Sequence, residues 1–345
     1  MTKTMFVLKS RITVGGFTWS GVESGTVERS LHSAADSCTI RMPTVGRVKY
    51  KNGSAPQLET IGDLFKENDK VKVELGYNGD LKTEFQGFVN YINPGGGRMP
   101  TEIVCEGYIR PLRLNKNLKG FYAQTSVKQL LQLAVKGTGI KLVVQDDIQL
   151  YNITLDNAGG TDVIREIMNI CQRVITIFFV TPDTLWCGLT YTAYKEGRNP
   201  FGVGEVKYRI GYNCLRDNSL TIKRPAEPIQ VILGGTLATG RRVETASEKK
   251  VLSNRATAMS NNLHSIAEMQ KIANEMQYQK NYTGFEGSVT AFLQPYCQPG
   301  YKMWLEDSRY PDSKGYYIAE SVRVNFSPAG GRRIVEVGPQ IGFKD

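Results

Sequence analysis

The stretch VELGYNGDLKTEFQGFVNYI, residues 73–92, contains two runs with apolar residues at alternating positions, joined by Asn78 and Gly79. Between Val73 and Tyr77 the apolar residues occupy every second position, so they share one face of an extended strand. An Asn-Gly pair readily adopts the positive φ angles that a tight hairpin turn needs. The stretch therefore predicts a β-hairpin with one buried face.

The hairpin belongs to a region, residues 1–115, in which similar runs are separated by clusters of Gly, Pro and Asn. The runs are rich in β-branched and aromatic residues, and no long helical pattern interrupts them. Five or more antiparallel strands without a long helix favour a small barrel or a sandwich. We predict a first β domain over 1–115.

The hydrophobic period changes in residues 116–200. TSVKQLLQLAVKG, residues 125–137, has apolar residues at i, i+3, i+4 and i+7, which predicts a helix that Thr125 or Ser126 caps and Gly137 ends. A second helix is predicted over 161–173, and β-rich runs lie beside both. This segment reads as a small α+β domain.

Strand patterns return in residues 201–345 and predict a second β domain. Within it, Ser265 and Glu268 have capping-box spacing, so we expect a helix at about 264–278. The stretch 234–262 is polar without a usable period, and a long loop is expected there.

A short motif occurs in both β-rich segments. Phe85-x-Gly87-x-Val89 in the first matches Phe285-x-Gly287-x-Val289 in the last. The match indicates either a duplicated β domain or a chance similarity, and the residues alone leave both interpretations open.

The composition is that of a globular protein. The chain has 345 residues, of which 41% are hydrophobic and 22% charged, enough for two or three domains. The longest apolar run, residues 174–180, is far shorter than the roughly 20 residues of a membrane span, and the N-terminus lacks a signal-peptide pattern. We expect a soluble protein that does not insert into membranes.

The six cysteines are scattered and form no CxxC pair, so we expect reduced, mostly buried thiols and neither metal site nor disulfide framework. The formal net charge of +10 suggests nucleic acid or acidic protein surfaces as partners. However, the basic residues form only doublets, such as Arg332-Arg333, which favours solvated strand faces over specific readout. A nucleic-acid-binding barrel protein remains an alternative.

Catalytic motifs are absent from the sequence. There are two histidines, His32 and His264, and no GxSxG, HExxH or GxxxxGK[ST] pattern. We therefore predict no catalytic residue, no cofactor and no metal ligand, and a protein that is not an enzyme. A cell-wall hydrolase is kept as the alternative of a different class.

The order of segments resembles that of phage tail baseplate hub proteins. This family includes the late control protein D of myophages and the hub part of VgrG proteins of type VI secretion. The resemblance is carried by DKVKVELGYNGDLKTEFQGFVNYI (residues 69–92), GYNCLRDNSLTIKR (residues 211–224) and the ordered helix, Phe-x-Gly strand and closing hairpin of residues 267–338. It covers nearly the whole chain as a pattern and rests on no catalytic motif.

The resemblance implies an α+β, mainly β fold with two tube-like antiparallel β-barrels and the small α+β domain between them. It also implies a homotrimeric ring whose six similar surfaces meet a hexameric tail tube on one side and a trimeric spike on the other. The chain ends at Asp345 without a spike repeat or a lysozyme-like segment, so the spike and any wall-degrading enzyme are expected to be separate polypeptides.

The expected partners are the tail tube protein, the spike, other baseplate proteins and DNA that passes through the lumen without specific binding. The expected location is the virion tail baseplate, after assembly in the bacterial cytoplasm. Alternatives are the hub of a related contractile injection or secretion system and the tail-tip hub of a non-contractile phage. Ten residues of the β-rich segments are candidates for the assembly interface: Val73, Tyr77, Phe85, Phe88, Tyr91, Phe285, Val289, Phe292, Tyr317 and Val322.

Overall fold

A computed structural model describes residues 7–48, 56–96, 99–202, 204–216, 219–224, 227–247 and 252–342 of the chain. In these residues strands greatly outnumber helices. The expected fold class, α+β and mainly β, is confirmed.

Strands and helices follow one another along three parts of the chain. The first part contains β1 (Leu8–Val14), β2 (Phe17–Trp19), β3 (Ser24–Ser30), β4 (Ser33–Met42), β5 (Val45–Val48), β6 (Gln57–Thr60), β7 (Lys70–Tyr77), β8 (Asp80–Asn93), β9 (Thr101–Glu106) and α1 (Ile109–Leu114). The middle part contains β10 (Leu118–Ser126), α2 (Val127–Val135), β11 (Lys141–Val144), β12 (Gln149–Ala158), α3 (Gly160–Ile170), β13 (Thr176–Thr181), β14 (Thr184–Gly188) and α4 (Thr190–Lys195). The last part contains β15 (Glu205–Arg209), β16 (Ser219–Lys223), β17 (Gln230–Thr236), β18 (Arg242–Ala246), β19 (Arg255–Met259), α5 (Ile266–Lys280), β20 (Gly284–Ala291), β21 (Lys302–Glu306), β22 (Gly315–Ser327) and β23 (Gly330–Gly342).

The hairpin predicted from residues 73–92 is confirmed as β7 and β8. Asn78 and Gly79 form its turn with φ angles of 54° and 94°. The pairing shifts register once along the hairpin, and both Glu84 and Phe85 are buried. This hairpin thus brings a carboxylate into the core as well as apolar side chains.

The dominant feature is one sheet of 13 strands that runs through both β-rich parts. Its order is β16-β20-β23-β22-β3-β4-β9-β8-β7-β1-β2, with β21 beside β22 and β15 beside β21. The link is β22, which pairs with β23 on one side and with β3 on the other. Among the described residues no pairing closes this sheet on itself, so the two tube-like barrels remain a prediction.

Two large hydrophobic clusters pack around these elements. The first contains residues of both β-rich parts, including Ile12, Val73, Phe285 and Tyr317. The second combines α2 and α3 of the middle part with β17 and α5 of the last part. The segment from β17 to α5 thus packs with the middle part, and the division of the chain at residues 115 and 200 remains a prediction.

The predicted helices are largely confirmed. Helix α2 begins after Ser126, whose side chain accepts the backbone N–H of Gln129 while the Gln129 side chain accepts that of Ser126. The helix expected at 264–278 is α5, but its exposed residues include Ile266, whereas Glu268 and Glu275 face inward. Glu275 accepts hydrogen bonds from the start of α4, whereas Glu268 pairs with Lys271 of its own helix.

The prediction of a long loop over 234–262 is wrong. β17 extends into this stretch, and β18 and β19 pair with β17 on its two sides to form a three-stranded sheet. Residues 248–251 lie outside the described residues. β18 and β19 were not predicted because they alternate intermediate and exposed side chains and gain their order by pairing with β17, which packs against α5.

Helix α4 was not predicted, since the pattern of LWCGLTYTAY, residues 185–194, is typical of one strand. None of the helices in the described part of the chain is long and apolar enough to cross a membrane.

Candidate assembly site

The face of the large sheet that lies opposite the core carries charged residues in cross-strand pairs. The pairs are Arg11–Glu74 (3.8 Å), Arg41–Glu102 (3.1 Å), Arg323–Glu28 (2.7 Å), Arg209–Glu306 (3.6 Å) and Lys223–Glu286 (3.3 Å). The first four join residues directly opposite each other in the ladder. Many of the cations that scatter through the sequence are thus matched by a carboxylate on the neighbouring strand.

These surface pairs contribute little to stability, since exposed ion pairs are typically worth about 0–1 kcal/mol. Their main effect is on the electrostatic character of the surface. A sheet face without a run of unmatched cations attracts polyanions weakly and stays hydrated. We call this surface the ion-paired face.

A buried ion pair joins the two β-rich parts on the other side of the sheet. The guanidinium of Arg333 in β23 donates to both carboxylate oxygens of Glu84 in β8 at 2.7 and 3.2 Å. It also donates to the carbonyls of Cys297 (2.8 Å) and Leu293 (3.2 Å) and lies 5.0 Å from the ring centre of Tyr296. Burial opposes the charge of Arg333, but the Glu84 carboxylate outweighs it and raises the pKa of Arg333 above its ordinary value.

The sequence held a signal for this pair. In RRIVEVG, Arg333 alternates with Val335 and Val337, so period 2 places it on the apolar face of the strand. All three are buried in the structure, and Arg333 has no exposed surface. The expectation that the Arg332-Arg333 doublet is solvated is confirmed for Arg332, which is exposed, and is wrong for Arg333.

The repeated motif has the same structural cause in both copies. β8 lies between β7 and β9, and β20 lies between β16 and β23. A Cβ atom at Gly87 would lie 2.3 Å from the carbonyl oxygen of Glu106, and one at Gly287 would lie 2.0 Å from that of Ser219. Both strands therefore need glycine where a neighbouring backbone approaches closely.

A polar cluster connects the middle part to the sheet. Glu320 of β22 lies 3.2 Å from Nε2 of His32, in the turn between β3 and β4, and accepts the hydroxyl proton of Tyr191 in α4. The hydrogen bond to Glu320 raises the pKa of His32. No local pattern predicts this partner of His32, because Glu320 lies far away in the chain.

A second carboxylate of the cluster is buried, and no cation in the described part of the chain pairs with it. Glu275 of α5 has no exposed surface and accepts the backbone N–H groups of Tyr191 and Thr192 at 2.8 Å and the Thr192 hydroxyl at 2.6 Å. These donors belong to the first turn of α4, so Glu275 holds that helix start in place. Burial raises the pKa of Glu275 to about 7, although the hydroxyl of Thr192 opposes the shift.

The ten candidate interface residues divide by exposure. Seven lie in the core of the chain itself: Val73, Tyr77, Phe85, Phe285, Val289, Tyr317 and Val322. Phe88 is half-buried, while Tyr91 and Phe292 are 50% and 45% exposed. Only the last three have surface to offer a neighbour, and their role in assembly remains a prediction.

The expected thiol state is confirmed: all six cysteines are free and buried. Within the described residues, no group of three or more His, Cys, Asp or Glu side chains is arranged to hold a metal ion.

Comparisons with known proteins find similar folds among solved structures. No protein-family model matches the chain, and no curated protein matches it. Among solved structures, it is similar to the tail protein from Neisseria meningitidis MC58, with a TM-score of 0.65, 13% identity and 96% of each chain covered. It is also similar to the 43 kDa tail protein of prophage MuSo2 from Shewanella oneidensis, with a TM-score of 0.62, 14% identity and coverage of 95% of this chain and 98% of that one.

A third similar structure is the E. coli c3393 protein, described as a component of the type VI secretion system with structural similarity to T4 bacteriophage tail proteins. Its TM-score is 0.51 at 10% identity, over 98% of this chain and 79% of that one. At these identities the likeness shows the fold. The resemblance to phage tail and secretion-system proteins is thereby confirmed at the level of fold, and membership of the late control protein D family remains a prediction.

Proposed function

We propose that the protein is a structural hub of a phage tail, a homotrimeric ring that joins the hexameric tail tube to the trimeric spike in the baseplate. The observation that carries the proposal is the 13-stranded sheet shared by both β-rich parts, each with a Phe-x-Gly-x-Val strand between two neighbours. Two comparable β surfaces in each of three subunits supply six positions around a ring.

The similar structures support a role in a tail. Two are tail proteins whose whole length the chain nearly matches, and the third is a secretion-system component. We propose accordingly that the protein is not an enzyme and that it resides in the virion tail.

The ion-paired face is the surface we assign to the lumen. DNA must slide past a hub without being held, and affinity for DNA rises with the number of phosphates that unmatched Lys or Arg side chains neutralise. A face on which five cations are already paired with carboxylates on a neighbouring strand holds fewer phosphates than one whose cations are all unmatched. It predicts no specific DNA binding.

Cryo-electron microscopy of the purified chain tests the hub function. The expected particle is a ring with threefold symmetry and six similar lobes around an open channel lined by the ion-paired face. A ring with a different symmetry, or particles that lack a channel even after co-expression with a spike partner, would reject the proposal.

A hub in a contractile secretion or injection system is a second candidate, favoured by the similarity to the c3393 protein. The two functions differ in what surrounds the ring. Mass spectrometry of purified particles separates them: capsid proteins in the same particle indicate a phage tail, whereas sheath and tube proteins without a capsid indicate a secretion or injection system.

A further inference from the structure

At one end of the large sheet, strand ends of both β-rich parts enclose a cleft of about 530 Å³. Leu8 and Tyr77 line it from the first part, and Tyr212, Phe292 and Arg332 line it from the last part. The turn of the β22–β23 hairpin forms one wall. We call this feature the rim cleft.

Two aromatic side chains stand open to solvent at the rim cleft. Tyr212 is 84% exposed and Phe292 is 45% exposed. Tyr and Phe offer large contact areas and lose little rotamer freedom on binding, which makes exposed aromatics frequent anchors of protein interfaces.

The turn that carries Tyr212 is already fixed. The N–H groups of Tyr212 and Asn213 donate to the Arg209 carbonyl at 3.0 and 3.2 Å. The Asn213 side chain accepts the Arg209 N–H at 2.8 Å and donates to the Lys207 carbonyl at 2.8 Å. Tyr212 is therefore presented on a preorganised turn, which lowers the entropy cost of binding a partner.

Charge at the rim cleft is positive. The Arg332 guanidinium lies 4.6 Å from the ring centre of Phe292, and the described residues that line the cleft include no Asp or Glu. Within the described residues Arg332 forms no ion pair and donates to the carbonyl of Gly331 at 2.9 Å. A guanidinium with free donors beside an apolar surface suits a carboxylate, which it can bind through two hydrogen bonds.

A second arginine beside an aromatic ring, Arg309, differs from Arg332 in having a carboxylate partner. Arg309 lies 5.8 Å from the ring centre of Tyr310, but its guanidinium pairs with Asp307 at 2.7 Å. Its charge is thus matched inside the chain. The unmatched charge of Arg332 distinguishes the rim cleft from this otherwise similar pair.

We infer that the rim cleft binds an extended segment of a partner protein in which an aromatic or aliphatic residue is followed by Asp or Glu. The apolar side chain fills the space between Tyr212 and Phe292, and the carboxylate pairs with Arg332. The inference goes beyond the hub function, since it assigns a recognition surface and the chemistry of its partner to a single chain and needs no ring.

Synthetic peptides test the inference. Immobilised extended peptides share one Gly/Ser-rich sequence with a central Phe followed by Asp, Asn or Lys, and binding of the purified protein is measured by surface plasmon resonance. We expect the Asp peptide to bind roughly tenfold more tightly than the Asn peptide, which corresponds to about 1.4 kcal/mol. The Lys peptide should bind least, and added salt should narrow the difference.

Substitutions of exposed residues test whether the peptides bind at the rim cleft. Arg332→Gln should remove the preference for Asp, and Phe292→Ala should weaken binding of all three peptides. Arg309→Gln and Tyr310→Ala are the matched controls and should bind as the parent does. Thermal unfolding checks that each variant is folded.

Three results would overturn the inference. One is equal binding of the Asp and Lys peptides, and another is unchanged binding in the Arg332 and Phe292 variants. The third is self-association that Phe292→Ala abolishes without peptide binding, since a second copy would then occupy the cleft. A trimer that forms without binding any peptide rejects the rim-cleft inference and leaves the hub proposal standing.

Discussion

Arg333 lies without exposed surface in a mainly apolar core, and Glu84 is its charged partner. Removing one member of a buried ion pair leaves the other charge uncompensated, which typically costs about 3–5 kcal/mol. We therefore expect Arg333→Met to lower the free energy of unfolding by that amount, measured by chemical denaturation. The double variant Glu84→Leu/Arg333→Met should recover much of the loss, since an apolar pair leaves no buried charge.

The matched control is the exposed pair of Arg323 and Glu28, whose side chains are 56% and 48% exposed. Arg323→Met removes the same chemical group in the same sheet and should cost no more than about 1 kcal/mol. If Arg323→Met and Arg333→Met lowered the free energy of unfolding by similar amounts, burial would not explain the cost of losing Arg333.

Glu275 predicts a dependence of stability on pH. Burial raises its pKa from 4.5 to about 7 in the folded chain, so the unfolded chain releases this proton first as the pH rises. The contribution of Glu275 is thus present below pH 4.5 and is lost as the pH rises towards 7. The raised pKa of His32 acts in the same direction at somewhat higher pH.

The test is thermal unfolding between pH 4.5 and about pH 7, the window that the shift of Glu275 defines. The parent should lose stability as the pH rises, and Glu275→Gln should flatten the dependence by up to about 1.4 kcal/mol for each unit of pKa shift. Glu23→Gln, at an exposed position, serves as the control. An unchanged pH profile in Glu275→Gln would show that this carboxylate does not titrate as inferred.

At the scale of elements, Gly87 and Gly287 allow β8 and β20 to lie between two strands each. A side chain at Gly287 would meet the Ser219 carbonyl, and its φ of 110° is unfavourable for other residues. We expect Gly287→Ala to cost at least about 2 kcal/mol, as strained backbone positions typically cost 1–3 kcal/mol each. Denaturant unfolding provides the measurement.

Gly21→Ala is the control for this substitution, because a Cβ atom there meets nothing within 4 Å and its φ is not positive. Gly87→Ala should resemble Gly287→Ala, since the Glu106 carbonyl lies equally in the way. If Gly87→Ala and Gly287→Ala were as mild as Gly21→Ala, the shared cause of the repeated motif would be wrong.

Local patterns predicted those elements whose determinants lie within a few residues. The β7–β8 turn depends on Asn78 and Gly79, and the start of α2 depends on Ser126 and Gln129. Helix α4 escaped prediction because its first turn is satisfied by Glu275, far along the chain. β17 was expected as a strand, but β18 and β19 escaped because the sheet they complete is ordered by packing against α5, which follows it in sequence.

The same limit applies to the candidate site. Period 2 could place Arg333 on the apolar face, but no local pattern identifies Glu84 as its partner. Tyr212 and Phe292 stand 80 positions apart in the numbering and meet at the rim cleft only because β-rich parts of the chain fold together. Long-range pairing, as between β22 and β3, decides which residues share a surface.

At the scale of the whole molecule, the pairing of β22 with β3 makes the two β-rich parts a single sheet. A chain built in this way would present its two comparable β surfaces at a fixed spacing, as a ring that matches a hexameric tube requires. The proposed hub function therefore depends on the number of chains that assemble.

The measurement that tests the hub function most directly is the solution mass, by light scattering after size exclusion at micromolar concentration and moderate salt. We predict three times the chain mass of 38.4 kDa, either for the chain alone or after co-expression with a spike partner. A stable dimer, or a monomer that persists in the presence of the spike, would contradict the threefold ring.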